Sequence, residues 1–512
     1  MKRRDFLKHL GSGAAALAMP AAAPAMAPRR RRRPNILFIM SDDHAAQAIG
    51  CYGGILSTVA PTPNIDRIAS GGMRFDNCFC TNSICTPSRA TILSGKYSHK
   101  NGCRILGDKL DGSQPTFPKL LQSAGYYTAV VGKWHLETEP AGFDYYNVLP
   151  GQGLYFDPLM KEKGRPWHRE GKGAKKYSGY VSDVITDIAL QCLENRPQDR
   201  PFCLLYHHKA PHDMWEYAPR HAGLFEDIEI PEPSNLFDDY RNRAEAIRQT
   251  TQKLTMERAI YLHPADGGQF DGVRNAIGGL EPDERKHRTY QYFIKAYLRC
   301  AASIDENVGR VLDWLDANGL AEDTMVVYTS DQGCFLGEHG LFDKRFMYEE
   351  SLRMPLIVRY PRLIRPGSVN KDIVINTDFA ATFADFGGVS PPSDLQGKSL
   401  RPLFAGRTPR GWRKSMYYRY WMHGAHFGVP AHFGVRTRRY KLIYYYGLPL
   451  HPKLSNHPPT SPEWELFDLK EDPREMNNVY GDPEYEKITK QLKAELRRLR
   501  KDLDDGGDGI VF

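Results

Sequence analysis

The most chemically pointed stretch of the 512-residue sequence is Cys85-Thr-Pro-Ser-Arg89, followed by Ala90-Thr-Ile-Leu-Ser-Gly95. Pro87 suits the first turn of a helix, where its missing N–H is not needed, and the helix then runs to Gly95. Cys85 therefore stands at or beside a helix N-terminus, where unpaired N–H groups and the helix dipole favour an anion. Arg89 follows one turn later, so its guanidinium returns to the same place. A helix start with an arginine behind it suits a tetrahedral oxyanion such as sulfate or phosphate. Two further pairs, Asp42-Asp43 and Asp331-Gln332, supply oxygen. Three carboxylates and an amide carbonyl make a hard, all-oxygen set, which favours Ca²⁺ or Mg²⁺ over zinc. Gly132-Lys133-Trp134-His135 adds a cation and an imidazole two residues apart, on one side of an extended segment.

Four short apolar runs must position these groups: Asn35–Met40, Tyr126–Val131, Phe202–Tyr206 and Thr324–Tyr328. Each runs at once into polar residues: Ser41-Asp42-Asp43-His44, then Gly132 to His135, His207 to His212, and Thr329 to Gly333. Hydrophobicity that is continuous rather than alternating predicts strands buried on both faces, as in a parallel sheet covered by helices. Apolar residues at helical spacing fill 285–318 and stop at Asn318-Gly319, directly before the fourth strand. In open α/β sheets ligands bind beyond the carboxyl ends of strands, so the four strand ends are expected to converge on one site. Residues 214–285 read as a long insertion over the sheet, with a helical piece near 238–259. From about residue 401 Tyr and Arg become dense, and a charged helix over 485–503 closes the chain. The expected division is a large α/β domain over 34–400 and a smaller C-terminal α+β domain over 401–512.

The formal net charge is +8. The leader to residue 27 carries three of those charges and Arg29–Arg33 the other five, so the body is neutral. A neutral body gives no support to nucleic-acid binding. Lys2-Arg3-Arg4-Asp5-Phe6-Leu7-Lys8, an Ala-rich stretch and Ala25-Met26-Ala27 describe a signal peptide over 1–27. The paired arginines before Phe-Leu-Lys resemble a twin-arginine signal, which implies passage through that export machinery and a periplasmic or secreted, bacterial location. After the leader no apolar run is long enough to span a membrane. The nine cysteines form no CxxC pair of zinc-site spacing, and their odd number leaves any disulfide connectivity open.

The run from Cys85 to Gly95 resembles the signature of type I sulfatases, and the resemblance extends over nearly the whole mature chain. It implies an alkaline-phosphatase-like α/β fold and sulfuric ester hydrolysis. It also implies oxidation of Cys85 to formylglycine (3-oxoalanine) by a formylglycine-generating or anaerobic sulfatase-maturating enzyme. A hydrated aldehyde offers two hydroxyls on one carbon, one to attack sulfur and one to expel sulfate later. By the same resemblance Asp42, Asp43, Asp331, Gln332 and the modified Cys85 hold calcium rather than magnesium, Gln332 standing where the family often has Asn. Lys133 and His135 match the family's Lys-x-His, Lys133 binding sulfate and His135 orienting or deprotonating the nucleophile. His212 matches the histidine near the leaving oxygen, and Lys344 a second sulfate-binding lysine. Gly333 to Ser351 looks like carbohydrate sulfatases of the N-acetylglucosamine-6-sulfatase and mucin-desulfating group, which implies a sulfated carbohydrate substrate. Arg345 and His432 are the expected sugar contacts. Three other readings stand beside this one: a phosphonate or phosphate ester hydrolase of the same fold, an aryl or choline sulfatase, and a catalytically dead glycan-binding relative.

Overall fold

The four apolar runs form adjacent strands, here β1 (Asn35–Ser41), β2 (Tyr127–Lys133), β3 (Phe202–His207) and β4 (Thr324–Ser330). The structure is a computed structural model and describes residues 33–168, 171–257 and 276–512. The expected signal peptide lies outside those residues. β1 pairs in parallel with both β3 and β4, and β3 with β2. Tyr145–Leu149 extends the parallel set beyond β2. The edges are mixed: Leu356–Arg359 runs antiparallel to β4, and Leu159–Glu162 antiparallel to Tyr145–Leu149. The ten strands make one mostly parallel sheet.

Side chains of a strand alternate between faces, and here both faces are covered, which is why the runs are apolar throughout. Leu37, Ile39, Leu204 and Val326 pack with helices α2 (Val181–Glu194) and α3 (Pro282–Ala317). Phe38, Val130, Leu205 and Val327 face the other way, toward Phe379 and Phe383 of α4 (Asp378–Gly387). Helix α1 (Cys85–Ser94) lies on that second side and is buried along its whole length. The same core continues into a four-stranded antiparallel sheet, β5 (Ser415–Tyr420), β6 (His432–Thr437), β7 (Tyr440–Tyr445) and β8 (Glu463–Asp468). The charged helix α5 (Glu486–Asp502) packs on that sheet. The fold is thus the expected one: a large, mostly parallel sheet between helices, with a small C-terminal α+β part.

The insertion departs from expectation in one respect. Between 238 and 257 only Glu245–Gln249 forms a helix of more than one turn. Tertiary partners take the backbone groups that a longer helix would need. Thr251 N donates to the Phe427 carbonyl at 2.9 Å, and Lys253 bridges to Leu341. The Gln252 side chain donates to the Phe342 carbonyl at 2.7 Å. The segment therefore braces two loops that border the site.

Candidate active site

The carboxyl ends of β4, β1, β3 and β2 lie side by side, and each delivers the residues that follow it. Asp42 and Asp43 leave β1, Lys133 ends β2, His207 ends β3 and Asp331 leaves β4. Asp43 takes a left-handed backbone, φ 64°, which Asp tolerates better than most residues. That turn brings its N–H to Asp331 Oδ1 at 3.3 Å. Carboxylate oxygens of Asp42, Asp43 and Asp331 all lie within 4.8 Å of one another. Gln332 Nε2 donates to Asp43 Oδ1, while Gln332 Oε1 is buried without a hydrogen-bond partner among the described residues. Gly132 allows β2 to pass close to β3: its φ is 101°, and a Cβ there would stand 1.8 Å from the His207 carbonyl oxygen.

Cys85 is the first residue of α1. The residue before it, Ile84, offers no side-chain acceptor, so the helix start is uncapped toward the site. Cys85 Sγ lies 3.5 Å from Asp42 Oδ1. Burial pushes its thiol up to about 12, so an unmodified Cys85 is no thiolate nucleophile near neutral pH. Arg89, one turn on and 2% exposed, points into the carboxylates. Its Nε is 2.9 Å from Asp331 Oδ2, its Nη1 donates to the Lys133 carbonyl at 2.8 Å, and its Nη2 lies 3.6 Å from Asp42 Oδ2.

Lys133 pairs with Asp42, and Lys344 with Asp43 and Asp343. Lys133 Nζ contacts Asp42 Oδ2 and Gln152 Oε1. Lys344 Nζ sits 2.8 and 2.6 Å from the two oxygens of Asp43 and 3.2 Å from Asp343 Oδ1. Burial, with Lys209 next, holds the Lys133 ammonium well below its usual range. Burial also works against Lys344, but the carboxylates of Asp343 and Asp43 outweigh it and raise it. Burial raises Asp43. Burial also opposes the charge on Asp331, yet Arg89, then Lys133 and Lys344, bring its carboxyl below the ordinary value.

Above this layer opens a cavity of about 380 Å³, with Cys85, His212, Lys344 and Arg345 in its wall. His212 Nε2 is 3.8 Å from Asp43 Oδ2, and burial followed by Lys133 lowers its pKa. Arg345 Nη2 pairs with Asp343 Oδ2 at 2.9 Å. His135 does not line this cavity. It turns at φ 53°, its carbonyl accepts from Thr86 Oγ1 at 2.9 Å, and it borders a small neighbouring hollow with Trp134 and Trp167; burial, then Lys133, Arg89, His212 and Lys344, hold its ring well below the usual imidazole value.

His432 is a correction. The expectation placed it over a sugar; the structure buries it completely on β6. Its ring stacks on Phe346 and Tyr418, and Nδ1 pairs with the Pro430 carbonyl at 2.8 Å. Both faces of β6 are covered, so His432 and Phe433, though on opposite sides of the strand, are equally buried. Sequence reasoning missed six polar or charged wall residues: Gln152, Lys209, Asp213, Glu216, Asp343 and His426. Lys209 and Asp213 belong to the polar run after β3 and were within reach of the strand-end rule. Gln152 and His426 lie on loops with no motif of their own.

A family profile described as sulfatase matches residues 34–389, and one described as N-sulphoglucosamine sulphohydrolase, C-terminal, matches 337–502. The chain belongs to the sulfatase family and is a sulfuric ester hydrolase. It is 43% identical to an N-acetylglucosamine-6-O-sulfatase of Bacteroides thetaiotaomicron, across 98% of this chain and 93% of the relative. Human N-acetylglucosamine-6-sulfatase is 27% identical, with 78% of this chain and 69% of that protein aligned. A solved structure described as a complex with its substrate D-glucosamine-2-N,6-O-disulfate superposes with a TM-score of 0.84 at 44% identity, covering 94% of this chain and 100% of that one. A phosphonate monoester hydrolase from Silicibacter pomeroyi shares the fold at TM-score 0.68 and 21% identity, over 92% of this chain and 95% of that one.

Proposed function

We propose that this sulfatase removes the 6-O-sulfate of a sulfated glucosamine unit in a carbohydrate. A formylglycine made from Cys85 is its nucleophile, and Ca²⁺ is bound by Asp42, Asp43, Asp331 and Gln332. The observation that carries the reading is Cys85 at the uncapped start of a buried helix, on the floor of a cavity that also receives His212, Lys344 and Arg345. The donor set suits a hard divalent ion. Three clustered carboxylates demand positive charge, and the unpartnered Gln332 oxygen supplies a neutral ligand of the same hardness. When present, the ion and the formylglycine hydrate supply Lewis-acid charge and an oxygen nucleophile.

The chain's own residues do the rest. The uncapped N–H groups of α1 and the ammonium groups of Lys133 and Lys344 bind the sulfate oxygens. Arg89 fixes Asp42, Asp331 and the backbone at Lys133, so the charged layer needs no rearrangement during reaction. Losing one such preorganised group typically lowers the rate roughly 100- to 1,000-fold. His212 donates a proton to the leaving sugar oxygen. The similarity to relatives described as acting on N-acetylglucosamine 6-sulfate, and to a solved complex with glucosamine-2-N,6-O-disulfate, supports the choice of sugar and position. The enzyme is exported through the twin-arginine route and matured at Cys85 by a formylglycine-generating or anaerobic maturating enzyme.

Mass spectrometry of the Cys85 peptide and a sulfate-release panel test this. The panel holds N-acetylglucosamine 6-sulfate, glucosamine-2-N,6-O-disulfate, their 3-O-sulfated isomers, an aryl sulfate, and a matched aryl phosphate and phosphonate. Turnover confined to the 6-O-sulfates, by aldehyde-bearing protein with calcium, is expected. Faster release from the phosphorus esters, or none from either 6-O-sulfate, would overturn the reading.

A further inference from the structure

His212 is followed by Asp213, and both acceptors of Asp213 converge on one ring nitrogen. Asp213 Oδ1 lies 2.5 Å from His212 Nδ1, and the Asp213 backbone carbonyl lies 2.7 Å from the same atom. Two oxygens facing Nδ1 require a proton there. The other nitrogen, Nε2, then points toward the charged layer, 3.8 Å from Asp43 Oδ2, in the wall of the cavity. Tyr155 Oη donates to the His212 carbonyl, and Lys209 Nζ approaches the Asp213 carbonyl at 3.5 Å, so the turn carrying both residues is braced on two sides. This is the arrangement of an imidazole whose tautomer and orientation are set by an adjacent carboxylate.

We infer that Asp213 is a positioning residue for leaving-group departure: it holds His212 with Nδ1–H engaged, so that Nε2–H is the donor presented to the ester oxygen. This rests on the sulfatase reading and on His212 meeting the leaving oxygen. In the step concerned, a bond forms between sulfur and the hydroxyl oxygen at position 85, whose own proton passes to the carboxylate of Asp42, 3.5 Å from Cys85 Sγ. The bond between sulfur and the sugar oxygen breaks, and its electron pair goes to that oxygen. The ring carries both protons at this point, a charge that the Asp213 carboxylate beside Nδ1 favours against burial and Lys133; the Nε2 proton follows to the same oxygen, leaving a neutral ring whose Nδ1–H still faces Asp213. A sugar alcohol is a poor leaving group and needs the proton; a nitrophenolate does not. The contribution of Asp213 therefore scales with the basicity of the leaving oxygen, which a purely structural contact would not do.

The test uses the mature, calcium-loaded enzyme and its Asp213→Asn and Asp213→Glu variants, with N-acetylglucosamine 6-sulfate and 4-nitrophenyl sulfate as substrates. Positioned proton transfer is typically worth roughly 100- to 10,000-fold. On the sugar sulfate, Asp213→Asn is expected to lower kcat by about 100-fold or more with KM little changed, and Asp213→Glu to recover part of the loss. On 4-nitrophenyl sulfate the loss in kcat/KM should be smaller by at least about tenfold. Equal losses on the two esters, a rise in KM in place of the fall in kcat, or an Asp213→Asn variant as active as the parent on the sugar would each overturn the inference. If the parent turns over only the sugar, the split between kcat and KM decides alone. A parent enzyme that hydrolyses neither ester refutes the sulfate-ester reading itself, a different failure visible before any variant is made.

Discussion

Replacing Arg89 by Ala removes a guanidinium that ties three strand-end elements together. Its side chain is 2% exposed and reaches Asp331 at 2.9 Å, the Lys133 carbonyl at 2.8 Å and Asp42 at 3.6 Å. Breaking a buried pair by removing one partner typically destabilises by about 3–5 kcal/mol, because the remaining charge stays buried. The loss should depend on pH in a defined direction. Asp331 is held below the ordinary carboxylate value, Arg89 doing more than any other neighbouring charge to offset its burial. A depressed carboxyl contributes stability that is present above the unfolded value near 4 and is lost as pH falls through the folded value. In the variant, burial acts with less opposition and the Asp331 carboxyl rises. Each unit of rise means that protonation relieves about 1.4 kcal/mol of the penalty on going from neutral to acid pH. Chemical denaturation of parent and variant at pH 7 and pH 4, with chelator present to exclude bound metal, measures both quantities. A gap that narrows toward pH 4 is expected. A gap that is absent, or that widens as pH falls, would refute the assignment of Arg89 as the counter-charge of Asp331. Arg89→Lys keeps the charge but not the planar fork, so it should fall between parent and Ala in stability.

Further outcomes are expected at the metal site, at Gly132 and at His432. Calcium at about 100 times its dissociation constant should stabilise the apo-protein by about 2.7 kcal/mol in denaturation, and Gln332→Leu should reduce that gain; identical curves with calcium and chelator would remove the metal from the proposal. Gly132→Ala forces a Cβ to 1.8 Å from the His207 carbonyl oxygen at φ 101° and should lower stability by about 3 kcal/mol or more, read as melting temperature and soluble yield. His432→Phe should leave turnover near the parent's at neutral pH, because the ring lies in the aromatic core, and a selective loss of activity in a stably folded variant would contradict that placement. Burial pushes His432 down to about 4, so it contributes stability above the unfolded value near 6.5 that is lost as pH falls toward 4. Removing it should make the protein less acid-sensitive by up to about 3 kcal/mol at pH 4, as measured by denaturation across that window.

The sequence by itself determined the sheet and where its chemistry lies. Four apolar runs without alternation had to be strands covered on both faces, and the polar residues directly after each had to emerge at one edge. Asp42, Lys133, His207 and Asp331 lie at those ends. The helix from Cys85 was legible from Pro87 and Gly95, because capping and turn chemistry act within a few residues. Tertiary packing alone decided the rest. Nothing local told whether Arg89 faces the cavity or the carboxylates; it faces the carboxylates. Nothing local put His432 inside an aromatic cluster or brought Gln152 and His426 into the wall of the main cavity. Those outcomes depend on which distant segments meet, and a long polar side chain at a strand end or loop tip suits solvent, a partner or a substrate equally well until its neighbours are fixed.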